Sequence, residues 1–169
     1  MIHLYTGDGK GKTTAAIGLA MRAAGRGWNV TFAQFMKGND TGELHSLAQL
    51  PMIQICRSPR DFGFYASMTE EDKVALTEIH DHMLTQLLAS ACSGDMQLIV
   101  LDEITYPVKW GLLNIELLKK LISYKDIELV LTGRDPADFL CEAADYITEM
   151  RCIKHPYEQG IKAREGIEY

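Results

Sequence analysis

The sequence predicts an α/β fold of three layers, in which helices cover both faces of a mainly parallel β-sheet. Short apolar runs alternate along the chain with segments that have helical periodicity. A glycine-rich loop, residues 6–14, joins the first apolar run to an alanine-rich helix. The run at 98–101 is apolar throughout, which is typical of a parallel strand that is buried on both faces.

Each predicted strand is a short apolar run bounded by polar or turn-forming residues. The first covers residues 2–5, and Gly25-Arg26-Gly27 ends the helix that follows the glycine-rich loop. The other strands are predicted at residues 29–34, 52–56, 97–101, 127–131 and 146–150. We expect residues 1–169 to form one domain, because this length suits a single core and no linker of biased composition interrupts it.

Three further helices are predicted. The longest covers residues 69–92, where apolar side chains recur every three or four residues, and Ser67 with Glu70 fits a capping box at its start. The shorter helices cover residues 114–123 and 135–143, and the second of these starts at an Asp-Pro pair.

Composition argues against several classes of function. The formal net charge is −6, with 17 Lys and Arg against 23 Asp and Glu, so there is no general positive field to bind nucleic acid. No apolar run reaches the length of a membrane span and no signal peptide precedes the first strand, so we expect a cytoplasmic protein without a membrane partner. The four cysteines form no Cys-x-x-Cys pair, and we expect buried free thiols rather than metal ligands.

The glycine-rich loop is the strongest functional signal. It reads Thr6-Gly7-Asp8-Gly9-Lys10-Gly11-Lys12-Thr13-Thr14. A strand, such a loop and a helix start form a cradle for polyphosphate, because backbone N–H groups and the positive end of the helix attract anionic oxygens. There Lys12 reaches the terminal phosphates, and the Thr13 hydroxyl is placed to ligate Mg²⁺. Thr6 stands where the standard phosphate-loop pattern has its first glycine, so this loop is one residue shorter.

Two other strand ends are expected to face the same crevice, because the carboxyl ends of parallel strands meet at one edge of a sheet. The apolar run at 98–101 ends in Asp102 and Glu103, and we expect a carboxylate here to hold Mg²⁺ directly or through water. The spacing leaves open which of the two contacts the ion. Arg134 follows the next strand, where its position fits a contact to phosphate and, equally well, a solvated side chain beside a helix cap.

Five ordered motifs resemble the ATP:corrinoid adenosyltransferases of the cobalamin pathway. They are the short loop at 6–16, Gln34-Phe35-Met36-Lys37-Gly38 with Gly42-Glu43, the segment 101–106, the segment 131–134 and the segment 154–163. The closing Gly166-Ile167-Glu168-Tyr169 matches as well, so the resemblance covers essentially the whole chain.

The resemblance implies a RecA-like P-loop NTPase fold, a homodimer, and an enzyme that uses ATP, Mg²⁺ and a corrinoid substrate. Co(I) of the corrinoid would attack the 5′ carbon of ATP, and inorganic triphosphate would leave. An electron donor such as a flavoprotein is the implied partner. The resemblance assigns Lys12, Thr13 and Glu103 to catalysis. It assigns residues 6–14 and Arg134 to ATP binding. The implied Mg²⁺ ligands are Thr13 and Glu103, with Asp102 beside them.

The corrinoid contacts are implied by an aromatic loop, residues 57–65, after the third strand. In the family, aromatic side chains below the corrin ring help to displace the lower axial ligand of cobalt, which eases reduction of Co(II) to Co(I). Phe62 and Phe64 fit this role, although Phe64 stands where well-known members have tryptophan. The other interpretation is that the aromatic side chains only anchor this loop to the core.

Shielding of the reactive Co(I) has two candidate sources in this chain. Some members of the family have an extra segment before the first strand that folds over the active site, and this sequence starts at Met1-Ile2. We therefore expect the loop at 36–43 or the carboxyl-terminal tail to cover the site. The tail, residues 154–169, is polar and has little periodicity.

Two other functions fit part of the sequence. An ordinary P-loop ATPase or small-molecule kinase shares the phosphate loop and the acidic strand end, and it would release ADP. A carrier of adenosylcobalamin would bind without turnover. The chain has no Asp-x-His-x-x-Gly segment to supply the cobalt-ligating histidine of many corrinoid carriers, which counts against the carrier.

Overall fold

The computed structural model describes residues 1–168, in which six strands form one parallel sheet. They are β1 Ile2–Thr6, β2 Val30–Gln34, β3 Ile53–Arg57, β4 Leu98–Asp102, β5 Glu128–Thr132 and β6 Tyr146–Glu149. The order across the sheet is β3-β2-β4-β5-β1-β6, and each neighbouring pair is parallel. The α/β prediction is confirmed, and the architecture agrees with a RecA-like P-loop fold.

Six helices accompany the strands in the described part of the chain. They are α1 Lys12–Ala24, α2 Gly42–Leu47, α3 Glu70–Ser93, α4 Thr105–Trp110, α5 Ile115–Ser123 and α6 Asp138–Ala143. Two 3₁₀ turns cover Tyr65–Ser67 and Pro156–Gln159. None of the helices within residues 1–168 has both the length and the apolar composition that crossing a membrane would take.

The helices lie on both faces of the sheet, which gives the predicted three layers. Successive residues of β4 point to opposite faces, so Ile99 and Leu101 join the apolar cluster under α3 and α5. Leu98 and Val100 join the cluster on the other face, where small side chains of α1 such as Ala20 allow close packing. The strand is apolar on both faces because helices cover both.

Four strands end one residue later than predicted. The added residues are Thr6, Arg57, Asp102 and Thr132. All four are polar, which the apolar pattern assigns to a loop, yet their backbones stay in register with the neighbouring strand. Asp102 and Thr132 are fully buried here, and hydrogen bonds rather than apolar contacts hold their side chains at the carboxyl edge of the sheet. Two strands are one residue shorter than predicted, since β2 begins at Val30 and β6 ends at Glu149.

Two predicted helix starts are wrong in detail. The cap of α3 is Thr69, whose Oγ1 accepts from the Asp72 N–H at 3.1 Å, while the Asp72 carboxylate accepts from the Thr69 N–H at 3.2 Å. Ser67, the predicted cap, lies in a 3₁₀ turn. Helix α6 begins at Asp138 rather than Asp135, because Asp135 has a φ of 46°, outside the helical region.

The sequence also misses α2 and α4, because six residues carry too little periodicity to indicate a helix. The cysteines are free, as predicted, but the prediction that they are buried is wrong. Cys92 is exposed in the last turn of α3, and Cys56, Cys141 and Cys152 are partly exposed.

His80 is a buried polar residue of α3 that faces the core. Its Nδ1 donates to the Leu112 carbonyl at 2.8 Å, and its ring centroid lies 5.1 Å from that of Phe35. Its Nε2 is buried and has no hydrogen-bond partner within residues 1–168. Burial lowers the pKa of His80, because a second proton would place an unpaired charge in the core.

We therefore expect His80 to make the fold less stable in acid. The unfolded chain binds a proton at this residue as the pH falls below the ordinary value of 6.5, and the folded chain resists it. Between pH 7 and pH 5.5 this difference lowers the free energy of unfolding by up to about 1 kcal/mol. Urea unfolding of the parent protein and of His80→Gln at both pH values tests this expected pH dependence. The same pH dependence in both proteins would contradict the prediction.

Candidate active site

The glycine-rich loop connects β1 to α1 at the carboxyl edge of the sheet. Gly7 has a φ of 97° and Gly11 a φ of 118°, which are values that favour glycine. A Cβ on Gly7 would overlap the backbone of Met150 beyond β6, and the Gly9 N–H donates to the Met150 carbonyl at 2.7 Å. One side of the loop is thus closed by protein. The N–H groups of the first turn of α1 have no partner within the helix and are available to phosphate.

Lys12 is buried against the inside of this loop. Its Nζ donates to the carbonyl oxygens of Gly7 and Gly9, both at 2.7 Å. Burial, and next the charge of Arg134, lower the pKa of Lys12. Arg134 is itself exposed, and its charge also lowers the pKa of Asp8, after the larger effect of a backbone hydrogen bond. The charge of Arg134 therefore acts on the phosphate loop, and its contact to phosphate stays a prediction.

Asp102 is fully buried and joins the loop to three strand ends. Its Oδ1 accepts from the Thr13 hydroxyl at 2.8 Å and the Thr132 hydroxyl at 2.7 Å. Its Oδ2 accepts from Lys37 Nζ at 3.0 Å and Gln34 Nε2 at 3.4 Å. Both carboxylate oxygens are engaged, so Asp102 orients Thr13 and offers no free oxygen to an ion.

Glu103 does offer a free oxygen. Its Oε2 is buried and has no hydrogen-bond partner in the described part of the chain. Burial, and next the charge of Asp102, raise the pKa of Glu103. The Thr13 hydroxyl donates its hydrogen bond to Asp102, which leaves the lone pairs of the Thr13 oxygen for a cation. These two oxygens fit Mg²⁺, which completes its shell with phosphate oxygens and water.

Backbone strain is concentrated at this edge of the sheet. Among residues 1–168, the non-glycine residues with positive φ are Met36 at 60°, Glu103 at 60° and Asp135 at 46°. They follow β2, β4 and β5, which are neighbours in the sheet. Such a conformation costs about 1–3 kcal/mol and is typical of functional sites. No residue type in the sequence signals it.

The two predicted corrinoid contacts in the aromatic loop differ in how far they are exposed. Phe62 is partly buried, lies under the Arg60 guanidinium at 4.4 Å from its ring centroid, and packs near Met68 in a small apolar cluster. Phe64 is 87% exposed. The interpretation that these side chains only anchor the loop therefore fits Phe62 and does not fit Phe64.

An aromatic stack near Glu103 escapes the sequence analysis. The ring centroid of Trp110, in α4, lies 4.3 Å from that of Tyr65 and 5.0 Å from that of Tyr106, and both pairs are stacked. Burial, and next the charge of Glu103, raise the pKa of Tyr106. The stack thus reaches from the aromatic loop to the acidic strand end. Its only signal in the sequence is that Tyr106 closes one of the motifs.

The loop at 36–43 touches the aromatic loop at Gly38. A Cβ on Gly38 would overlap the backbone of Asp61, so glycine is required for this close approach. Lys37, which precedes it, received no role from the sequence and forms the ion pair with Asp102. The available signal was a lysine just beyond the end of a strand.

Comparison with known proteins places these observations in a family. Residues 1–169 match the family described as ATP:corrinoid adenosyltransferase BtuR/CobO/CobP. The chain belongs to this family. It is 32% identical over 171 residues to the corrinoid adenosyltransferase of Escherichia coli (strain K12), covering 100% of this chain and 85% of the relative. Corrinoid adenosyltransferase CobA of Salmonella typhimurium gives the same identity and coverage, and the corrinoid adenosyltransferase of Pseudomonas aeruginosa is 34% identical over 173 residues, 100% of this chain and 83% of the relative.

In this member of the ATP:corrinoid adenosyltransferase family, the candidate residues lie along one edge of the sheet. Four strand spacings, about 19 Å, separate β1 with its phosphate loop from β3 with its aromatic loop. The acidic strand end of β4 lies between them. The closing motif ends at Tyr169, which lies outside the described residues.

Proposed function

We propose that this protein transfers the 5′-deoxyadenosyl group of ATP to Co(I) of a corrinoid and releases inorganic triphosphate. The observation that supports this proposal best is the hydrogen bond from Thr13, at the end of the phosphate loop, to Asp102 at the acidic strand end. It occurs in a chain that matches the family over its whole length. Cobalamin, cobinamide and cobyrinic acid a,c-diamide share the reacting cobalt, so the proposal covers all three.

The residues of the loop would act on the leaving group. In the proposed reaction the cobalt–carbon bond forms with both electrons from Co(I), while the bond between C5′ and its oxygen breaks. Negative charge grows on the α-phosphate oxygen, where Lys12 and the N–H groups at the start of α1 stabilise it. When bound, Mg²⁺ neutralises part of the triphosphate charge. Thr13 and Glu103 would hold the ion, and Asp102 orients the Thr13 hydroxyl.

Positioning and electrostatics would supply most of the catalysis, since Co(I) is a strong nucleophile and triphosphate leaves as an anion. The rival ATPase or kinase draws support from one observation. A free, buried Glu103 oxygen of raised pKa beside a phosphate loop could also act as a general base on water or an acceptor hydroxyl. The two reactions differ in their phosphorus products.

The corrinoid side of the proposal depends on the aromatic loop. Phe64 is exposed and precedes Tyr65, which stacks on Trp110, so the loop presents apolar surface near Glu103. We assign the exposed Phe64 to the lower face of the corrin, together with Phe62, which is only partly buried and so can contact the ring while it anchors the loop. The homodimer, the flavoprotein electron donor and the cytoplasmic location stay predictions of the family resemblance.

Replacing both Phe62 and Phe64 by alanine should leave ATP binding intact and remove the four-coordinate Co(II) state. Without these two rings, the loop would lose the side chains that we assign to holding the lower axial ligand away from cobalt. Absorption and electron paramagnetic resonance spectra of bound Co(II) corrinoid measure this. Phe64→Ala alone separates the effect from loss of packing, because this side chain is exposed. Corrinoid spectra that do not change in the double variant would refute the assignment.

The proposed function is tested by anaerobic mixing of the protein with ATP, Mg²⁺ and each of the three corrinoids in the Co(I) state. The Co(I) absorption should disappear only when protein and ATP are both present. Persistence of that absorption with all three corrinoids would reject the proposal.

A further inference from the structure

The carboxyl-terminal tail, from here on residues 150–168, adds the four residues after β6 to the described part of the segment that begins at Lys154, and it starts on the phosphate loop. The Met150 carbonyl accepts from the Gly9 N–H at 2.7 Å. Two residues later the Cys152 N–H donates to Asp8 Oδ1 at 3.0 Å. These bonds fasten the beginning of the tail to two neighbouring residues of the loop.

The far end of the tail returns to the same loop. Lys10 Nζ donates to the Ile167 carbonyl at 2.9 Å and to Glu168 Oε1 at 3.0 Å. Arg164 also donates to the Glu168 carboxylate, from Nε at 3.3 Å and from Nη2 at 3.2 Å. Arg164 and Lys10 lower the pKa of Glu168 to about 2, so this carboxylate stays charged near neutral pH. The tail therefore leaves the phosphate loop and closes back on it.

The space enclosed by the tail and the loop is a cavity of about 580 Å³. Gly9 and Lys10 form part of its wall, so the cavity borders the phosphate loop. Its charged side chains are one carboxylate, Glu168, and five cations: Lys10, Arg151, Lys154, Lys162 and Arg164. In a chain of net charge −6, this local excess of positive charge is unusual.

Most of these cations lack a protein partner. Within residues 1–168, Arg151, Lys154 and Lys162 form no salt bridge. His155 accepts the Tyr157 N–H at its Nδ1, so the neutral ring carries its proton on Nε2 and adds a donor to the wall. Like charges gathered around one cavity repel each other, and an anion bound among them would relieve that repulsion.

We propose that this tail cavity binds the polyphosphate end of ATP, or the inorganic triphosphate released from it, as a subsite beside the phosphate loop. The assignment to triphosphate rests on the proposed function. The tail leaves from β6, at the opposite edge of the sheet from β3 and its aromatic loop. Because C5′ must face the corrinoid, the phosphate chain extends away from it, towards the tail. The terminal phosphates then meet the cations of the cavity.

The test measures binding of inorganic triphosphate to the full chain by titration calorimetry in the presence of Mg²⁺. Lys154→Ala/Lys162→Ala should raise the dissociation constant about tenfold, because two charge-assisted contacts to phosphate are lost. The matched control is Lys120→Ala/Lys125→Ala, which removes the same charge from α5 and from the segment before β5. Equal affinity of the tail variant and the control would overturn the inference.

Parallel titrations with ATP distinguish the two sources of the polyphosphate. A similar loss of affinity for ATP and for triphosphate would place the terminal phosphates of the bound nucleotide in the cavity. A loss of affinity for triphosphate alone would assign the cavity to the released product. A variant that changes only the KM for corrinoid would also overturn the inference. If Co(I) is never adenosylated and triphosphate binding still depends on these lysines, the proposed function fails while the polyphosphate subsite stands.

Discussion

Replacing Lys12 by alanine should reduce the rate of adenosyl transfer by a factor of at least about 10² to 10³. The ammonium lies inside the phosphate loop on the carbonyl oxygens of Gly7 and Gly9, and no other cation of the loop is buried there. Its removal takes away charge stabilisation that the leaving triphosphate needs most in the transition state. The measurement is kcat at saturating ATP, followed by loss of the Co(I) spectrum.

Lys125→Ala, an exposed lysine before β5, is the matched control for loss of one charge. It should keep the parental rate. Thermal unfolding of both variants shows whether the Lys12 variant still folds. A folded Lys12→Ala protein with the parental kcat would remove the phosphate loop from the mechanism.

Replacing Glu103 by glutamine should lower Mg²⁺-dependent activity by about a hundredfold. The same change should leave stability unchanged or slightly raised. In the absence of the ion, burial and then the charge of Asp102 disfavour the Glu103 carboxylate and raise its pKa. A neutral amide removes that penalty but binds Mg²⁺ poorly. The effect on activity is measured as a function of Mg²⁺ concentration. The effect on stability is measured by urea unfolding.

Asp102→Asn is the contrasting variant. This carboxylate is buried, pairs with Lys37 and accepts from two threonine hydroxyls, so its loss should lower the free energy of unfolding by about 3 kcal/mol. Asp102 would then be a structural residue and Glu103 a ligand of the ion. Glu103→Gln losing stability and activity to the same degree would give Glu103 the structural role instead.

The order of strands and helices could be predicted because the core imposes it on the sequence. Leu98 to Leu101 are apolar on both sides since helices cover both faces of β4. The prediction failed by one residue where polar side chains continue a strand into the crevice, as at Asp102 and Thr132. Apolar periodicity reports burial in the core and says little about residues that are ordered by hydrogen bonds at a site.

The phosphate loop and the acidic strand end could be predicted because short-range spacing specifies them. The contacts between distant segments could not. Lys37 reaches Asp102 across 65 residues, Tyr65 stacks on Trp110, and the tail returns to Lys10 from Glu168. Each contact depends on which strand lies beside which, and a single sequence does not specify that order.

In the proposed reaction, the site breaks ATP at the ribose carbon and keeps the triphosphate whole. Phosphorus nuclear magnetic resonance of a reaction with ATP, Mg²⁺ and a Co(I) corrinoid tests it most directly. We expect one inorganic triphosphate for each cobalt–carbon bond formed and no ADP. Accumulation of ADP with inorganic phosphate, or with a phosphorylated acceptor, would contradict it and identify the site as that of an ATPase or kinase.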